Sequence, residues 1–364
     1  MPRRPSASID EPPDHCFAAE LPGENPPSFQ ELKTLYVLAS ELFALRPWEL
    51  LSDSRLTLVQ AGPGGELCFC CVMGSLGEVY AMHAYIGLES YRLHCDIQAG
   101  RIVEPGEFFA RQRSVYVEAV PRMELERQDR ELLAWLHHPQ GKGALSPIFR
   151  ACRPGFHPWF VNAEEVRTLA ECIRATIEVF HAVAGGQSGK FWKRAGFFPM
   201  AVKEDGDELR YRIELVEATL PEAPPLAPAQ GNQEKLEQLR GQDYPVRGVM
   251  ELDHILSGTP IGKKNERKVC ASFALAVDAK TGIVYAPNVA DSRTPAGDSL
   301  ANVFLDAVQS TRVFPQEVRV RTQRMRDCLV PFMELFGVGV KASSKLPAAD
   351  EARAHLLGFL TGGL

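Results

Sequence analysis

The stretch PEAPPLAPAQGNQ, residues 221–233, constrains this chain more than any other, because Pro221, Pro224, Pro225 and Pro228 forbid a regular helix across it. Few of its side chains are suited to a core, so it reads as a linker between two bodies. Length supports the division, since 364 residues exceed what one compact core usually organises. Upstream, residues 1–27 are rich in Pro, Ser and acidic side chains and read as a disordered tail. The expected organisation is that tail, a domain over 28–220, the linker with a short helix over 221–245, and a second domain over 246–364.

The formal net charge of -6 argues against a protein that coats nucleic acid or anionic membrane over its whole surface. No apolar stretch is long enough to span a bilayer, and MPRRPSASIDEPPDH lacks the apolar core of a secretory signal. Cytoplasmic residence and no membrane partner are therefore expected. The nine cysteines fit neither a disulfide framework nor zinc-ligand spacing, and no small-molecule cofactor is evident. In CFCC, residues 68–71, strand alternation would send Cys68 and Cys70 to one face and Cys71 to the other, as small buried hydrophobes.

Residues 28–220 carry mixed signals that point to an α+β domain. Ser28 followed three positions later by Glu31 opens an amphipathic helix, and Asn162 caps a long one. RLTLVQAGPGGELCFCCVMG predicts two strands around a Gly-rich turn, whereas GEVYAMHAYIGLESY fits helix and strand equally well. SVYVEAVPRMEL is a further strand and DGDELRYRIELVEA a hairpin arm. In RPGFHPWF, Phe156 and Trp159 could stack a base or grip a peptide, or could simply staple a loop to the core.

Beyond Val246 the periodicity is sharper. Three strands in a meander are followed by helix, strand, helix, strand, helix, with Pro331 interrupting the second helix. Within the first strand, GVMELDHILSG sets Glu251, Asp253 and His254 in an otherwise apolar run. A carboxylate there is costly unless paired, and an arginine of the fourth strand is one candidate partner. Asp278 belongs to a turn.

This βββαβαβα order resembles the ribonuclease-H-like fold with its mixed sheet. ELDHI and ALAVDAKTGIV resemble the first two strands of the integrase core of DDE transposases, over about residues 247–357. That resemblance implies a two-metal site binding Mg or Mn, with Asp253 as the first-strand ligand and Glu351 as the last-helix carboxylate. It also implies an Asp at the end of the fourth strand, where Thr322 and Gln323 stand instead, flanked by Arg321 and Arg324. Cations there would compete with a metal pair, so the expected centre is degenerate. The whole chain is also similar to a two-domain bacterial family of unknown function, through LRPWELLSDSRLTLV, VMGSLGEVY and RPGFHPW.

Charge separates the two halves: residues from Val246 onward carry +3 and the preceding 245 carry -9. Arg319, Arg321, Arg324 and Arg326 concentrate in eight residues, and could bind phosphates, a nucleic-acid backbone or a protein, or could merely solvate a sheet edge. The expectation is a binding or regulatory protein with a degenerate ribonuclease-H-like domain, its partner a protein or a nucleic acid. Two alternatives stand beside it: a metal-dependent nuclease or phosphoryl-transfer enzyme using Asp253 and Glu351, and a protein adaptor working through the aromatic N-terminal domain.

Overall fold

A computed structural model describes residues 24–102, 105–138, 143–204, 210–220, 222–223, 225–263 and 266–362. Most of the expected N-terminal tail, residues 1–23, and the 205–209 part of the hairpin arm lie outside the described residues. The chain is a mixed α/β protein with two sheets and, among the described residues, nine α-helices. It divides into two compact units. The first comprises residues 1–101, 111–153 and 158–220; the second comprises 102–110, 154–157 and 221–364.

The first unit contains α1 (Phe29–Ala44), β1 (Thr57–Gln60), β2 (Leu67–Met73), β3 (Tyr80–Ile86) and α2 (Gly87–Gln98). After α3 (Pro105–Arg111), which up to residue 110 belongs to the second unit, the first unit continues with β4 (Ser114–Pro121), α4 (Arg127–Trp135), β5 (Leu145–Cys152), α5 (Ala163–Ala184), β6 (Phe197–Lys203) and β7 (Tyr211–Glu217). Its seven strands are ordered β5-β4-β3-β2-β1-β6-β7. Both expected caps form as reciprocal boxes: Ser28 Oγ accepts from Glu31 N at 3.2 Å, and Asn162 Oδ1 accepts from Glu165 N at 2.9 Å. The ambiguous GEVYAMHAYIGLESY is both elements in turn, a strand passing into α2 at Gly87, whose φ of +79° few other residues adopt. Alternation sorts the CFCC thiols as expected. Cys68 and Cys70 join Cys172 in the core beneath α1 and α5, and Cys71 joins Phe69, Tyr91 and Phe198 on the other face.

The second unit contains α6 (Gln233–Leu239), β8 (Val249–Ile261), β9 (Val269–Asp278), β10 (Val284–Asp291) and α7 (Ala296–Thr311). It continues through β11 (Glu317–Val320), α8 (Gln323–Met333), β12 (Gly339–Ala342) and α9 (Pro347–Gly362). The five strands are ordered β10-β9-β8-β11-β12. The first three pair antiparallel, while β11 runs parallel to both β8 and β12. Leu252 of β8, Ala274 and Ala276 of β9 and Val318 of β11 face the core built with α6, α7 and α8. Ile255, Phe273, Leu275 and Val277 face α9 and pack on Leu346 and Ala349.

The stretch read as a linker is partly core here. Ala229 is buried in the second unit, its N–H donating to Cys328 O at 2.9 Å. Gly231, at φ +63°, lies so close to Phe332 that a Cβ would fall 2.9 Å from the ring. Small residues thus enter where proline blocks secondary structure but not packing. Pro331 does not interrupt α8 as expected; it lies two residues before the end, where it removes the N–H that would bond to Asp327 O, and the chain passes directly into a 3-10 turn closed by Gly337. Among the described residues no helix is long and apolar enough to cross a membrane.

Candidate functional site

Period-two alternation puts Glu251, Asp253 and Ile255 on the α9 face of β8. Parallel pairing of β8 with β11 places Arg319 beside Glu251 and carries Arg321, one residue past the strand end, level with Asp253. Asp253 is 2% exposed. Its Oδ1 accepts from Arg321 Nε at 2.7 Å and its Oδ2 from Arg321 Nη2 at 2.8 Å, a planar two-point fit. Arg353 of α9 donates a third bond, to Oδ2 at 3.0 Å.

The same Arg321 guanidinium also reaches Asp350 Oδ1 at 2.7 Å. One cation therefore spans a strand carboxylate and a helix carboxylate, and Asp253 raises the Arg321 pKa further above its ordinary value. The unpaired buried carboxylate that the sequence posed as a cost does not occur. Glu251, 1% exposed, accepts from Ala349 N at 2.9 Å, in the first turn of α9, where a carboxylate meets the positive pole of the helix.

Around this centre the remaining expected residues scatter. Glu351 is exposed on α9, and it is its neighbour Asp350 that the helix phase turns toward Asp253 through Arg321. Among the described residues no three His, Cys, Asp or Glu side chains are grouped to hold a metal ion. Thr322 caps α8 by accepting from Met325 N at 3.2 Å, and Gln323 donates to Asp327 at 2.9 Å. Arg319 pairs with Glu317 at 2.8 Å, a carboxylate that Lys341 also contacts, and Arg326 pairs with Asp327 at 2.8 Å. Arg324 is exposed at the start of α8. The arginine cluster is thus largely committed to carboxylates of its own chain.

Phe156 and Trp159 fall in different units. In the second unit Phe156 bridges to Val269 and carries Arg293 over its ring at 4.8 Å. In the first, Trp159 exchanges backbone hydrogen bonds with Ala151 along the outer strand β5. Sequence reasoning gave His254 no separate role. It lies next to Asp253 but on the opposite face, its Nε2 buried with no partner among the described residues, and burial pushes its pKa down to about 4. Asp278 sits in its expected turn; burial raises its pKa, but bonds from Thr281 N and Oγ1 and from Lys280 N outweigh that and lower it.

Residues 33–198 match a family model described as a domain of unknown function (DUF7309), and residues 235–357 match a second, also a domain of unknown function (DUF6930). No curated protein matches the chain. The chain therefore carries two different domains of unknown function in tandem.

Proposed function

We propose that residues 249–362 form a ribonuclease-H-like domain, akin to the integrase core of DDE transposases, in which a guanidinium has taken the place of the metal ions, and that the chain is a binding or regulatory protein and not a nuclease. The strand order β10-β9-β8-β11-β12, with a three-strand antiparallel meander leading into two parallel strands, supports the fold reading. The single observation that carries the functional reading is Arg321. It is fixed between Asp253 of the first strand and Asp350 of the last helix. A divalent cation entering there would have to displace a two-point ion pair and then share the space with Arg353, at a cost of several kcal/mol by ordinary Coulomb reasoning at these separations.

The partner is a macromolecule bound at surfaces away from this filled centre. Cytoplasmic residence fits the eight described cysteines, all of them free thiols.

The test incubates the purified chain with labelled single- and double-stranded DNA and RNA in Mg²⁺, Mn²⁺ or EDTA, beside Asp253→Ala. The expected result is no cleavage in any lane. Cleavage that needs metal and vanishes in the variant would overturn the reading and return Asp253 to a catalytic role. A band shift without cleavage, weakening with salt, would identify nucleic acid as the partner; its absence would direct the search to proteins.

A further inference from the structure

A second feature of the 221–364 region lies at the opposite end of β8 from Ile261. The start of β8, the β9–β10 turn and the end of α7 enclose a pocket of about 560 Å³. Its walls hold Arg247 and Lys280 as cations, Asp278 and Tyr285 as polar groups, and Val249 and Val313 among the apolar ones. Gly248, at φ +80°, leaves the wall beside Asp278 without a side chain, in a backbone conformation other residues rarely adopt. Val249 and Asp253 are four residues apart on one strand, roughly 13 Å, so the pocket is separate from the guanidinium centre.

The charges around this pocket differ from those around Arg321. Arg293, Arg319, Arg321, Arg326 and Arg353 each meet a carboxylate of the chain. Arg247 and Lys280 have no carboxylate within ion-pair distance among the described residues, nor has the exposed Arg312, which lies between the lining residues Thr311 and Val313. The one acid in the wall, Asp278, has its Oδ1 taken by Lys280 N, Thr281 N and Thr281 Oγ1. Asp278 keeps its own negative charge, and the last turn of α7 adds the negative pole of a helix, worth about half a charge; the three cations Arg247, Lys280 and Arg312 outweigh the two together.

We propose that this pocket binds a small organic anion, with a phosphate or carboxylate head held between Arg247 and Lys280 and an apolar body against Val249 and Val313. The volume suits a small-molecule ligand, and mixed walls of this kind, apolar with a few convergent polar groups, are those of ligand sites. An inorganic ion would leave the apolar walls wet and gain only the charge contacts.

Isothermal titration of the full chain with phenyl phosphate, benzoate, inorganic phosphate and benzyl alcohol tests this. One of the two aromatic anions should bind saturably, at least tenfold tighter than inorganic phosphate, with benzyl alcohol silent; which of them binds distinguishes a phosphate from a carboxylate head. Arg247→Gln and Lys280→Gln should each weaken that binding about tenfold, the loss of one charge-assisted hydrogen bond. Arg240→Gln, an exposed cation outside the pocket, should leave it unchanged, and Val313→Asp should abolish it without altering the circular dichroism. No saturable binding by any probe, or equal losses in the Arg240 variant, would overturn the proposal. So would retention of single-stranded DNA through Arg247 and Lys280 with no small-anion binding, which would mark the same cations as a polymer surface.

Discussion

Arg321→Met is the substitution that most directly tests how the second unit is held. Methionine keeps much of the length and apolar stem of arginine but removes the guanidinium that donates to both oxygens of Asp253. Asp253, at 2% exposure, would keep only the bond from Arg353 at 3.0 Å. Breaking a buried pair from one side costs about 3–5 kcal/mol. The surviving arginine and the 29% exposure of the Arg321 side chain place this case at the low end, about 3 kcal/mol. Asp253→Leu with Arg321→Met removes both members of the two-point pair and should recover part of that loss, since an apolar pair avoids the desolvation of either ion while Arg353 gives up its bond to Asp253 and Asp350 its bond from Arg321.

Hydrogen exchange read by mass spectrometry on peptides of β8, β11 and α9 is the assay of choice. All four tryptophans, Trp48, Trp135, Trp159 and Trp192, lie in the first unit, so their fluorescence reports the wrong region. The single variant should lower protection in those three elements, and the double should restore part of it. A single variant within 1 kcal/mol of the parent, or strictly additive singles, would refute the argument that Arg321 neutralises a buried carboxylate.

Three further outcomes follow from other residues. Arg321→Ser should bring a weak Mn²⁺ site into being between Asp253 and Asp350, seen by titration calorimetry in the variant and absent in the parent and in Arg321→Ser with Asp253→Asn. His254 titrates at about 4 when folded and near 6.5 when unfolded, so the unfolded chain binds the extra proton between those values and stability falls as pH drops through that window. The loss is at most about 3 kcal/mol, and urea melts of His254→Leu should show a correspondingly flatter slope from pH 6.5 to 4. Burial raises the thiols of Cys71 and Cys152 to about 12 and that of Cys270 to about 11, so iodoacetamide at pH 8 should leave all three unmodified in peptide maps until denaturant is added.

The legible parts of the fold were those where one residue's chemistry decides the local structure. Ser28 with Glu31 and Asn162 announced helix starts because a side-chain acceptor opposite an orphan N–H has few other uses there. The β5 segment LSPIFRAC and the β6 segment FFPMAVK carry no comparable signal, and their Pro147 and Pro199 weigh against a strand in sequence terms. Tertiary context removes the objection. β5 lies at the outer end of the sheet, and β6 meets β1 through the single pair Leu58 and Met200.

At the candidate site, Asp253 was legible because a charge in an apolar strand demands a partner, and the arginines beyond β11 were near enough in the pattern to supply one. Glu351 and Asp350 could not be separated by sequence, since adjacent helical positions lie about 100° apart and only the docking of α9 sets which one faces the sheet. That docking is itself governed by the strand: Glu251 holds the N–H of Ala349, which fixes the rotation of the first helical turn and with it the direction of Asp350 and Arg353. The two acids of ELDHI therefore act together, Glu251 orienting the helix and Asp253 receiving the charges that the helix and β11 deliver. Glu251→Gln, which keeps an acceptor for Ala349 N, should preserve this arrangement, whereas Glu251→Leu should loosen α9 and lower exchange protection at Arg353 and Asp253 alike. If the leucine variant left α9 as protected as the parent, the orientation of the helix would have to come from Leu346 and Ala349 packing alone.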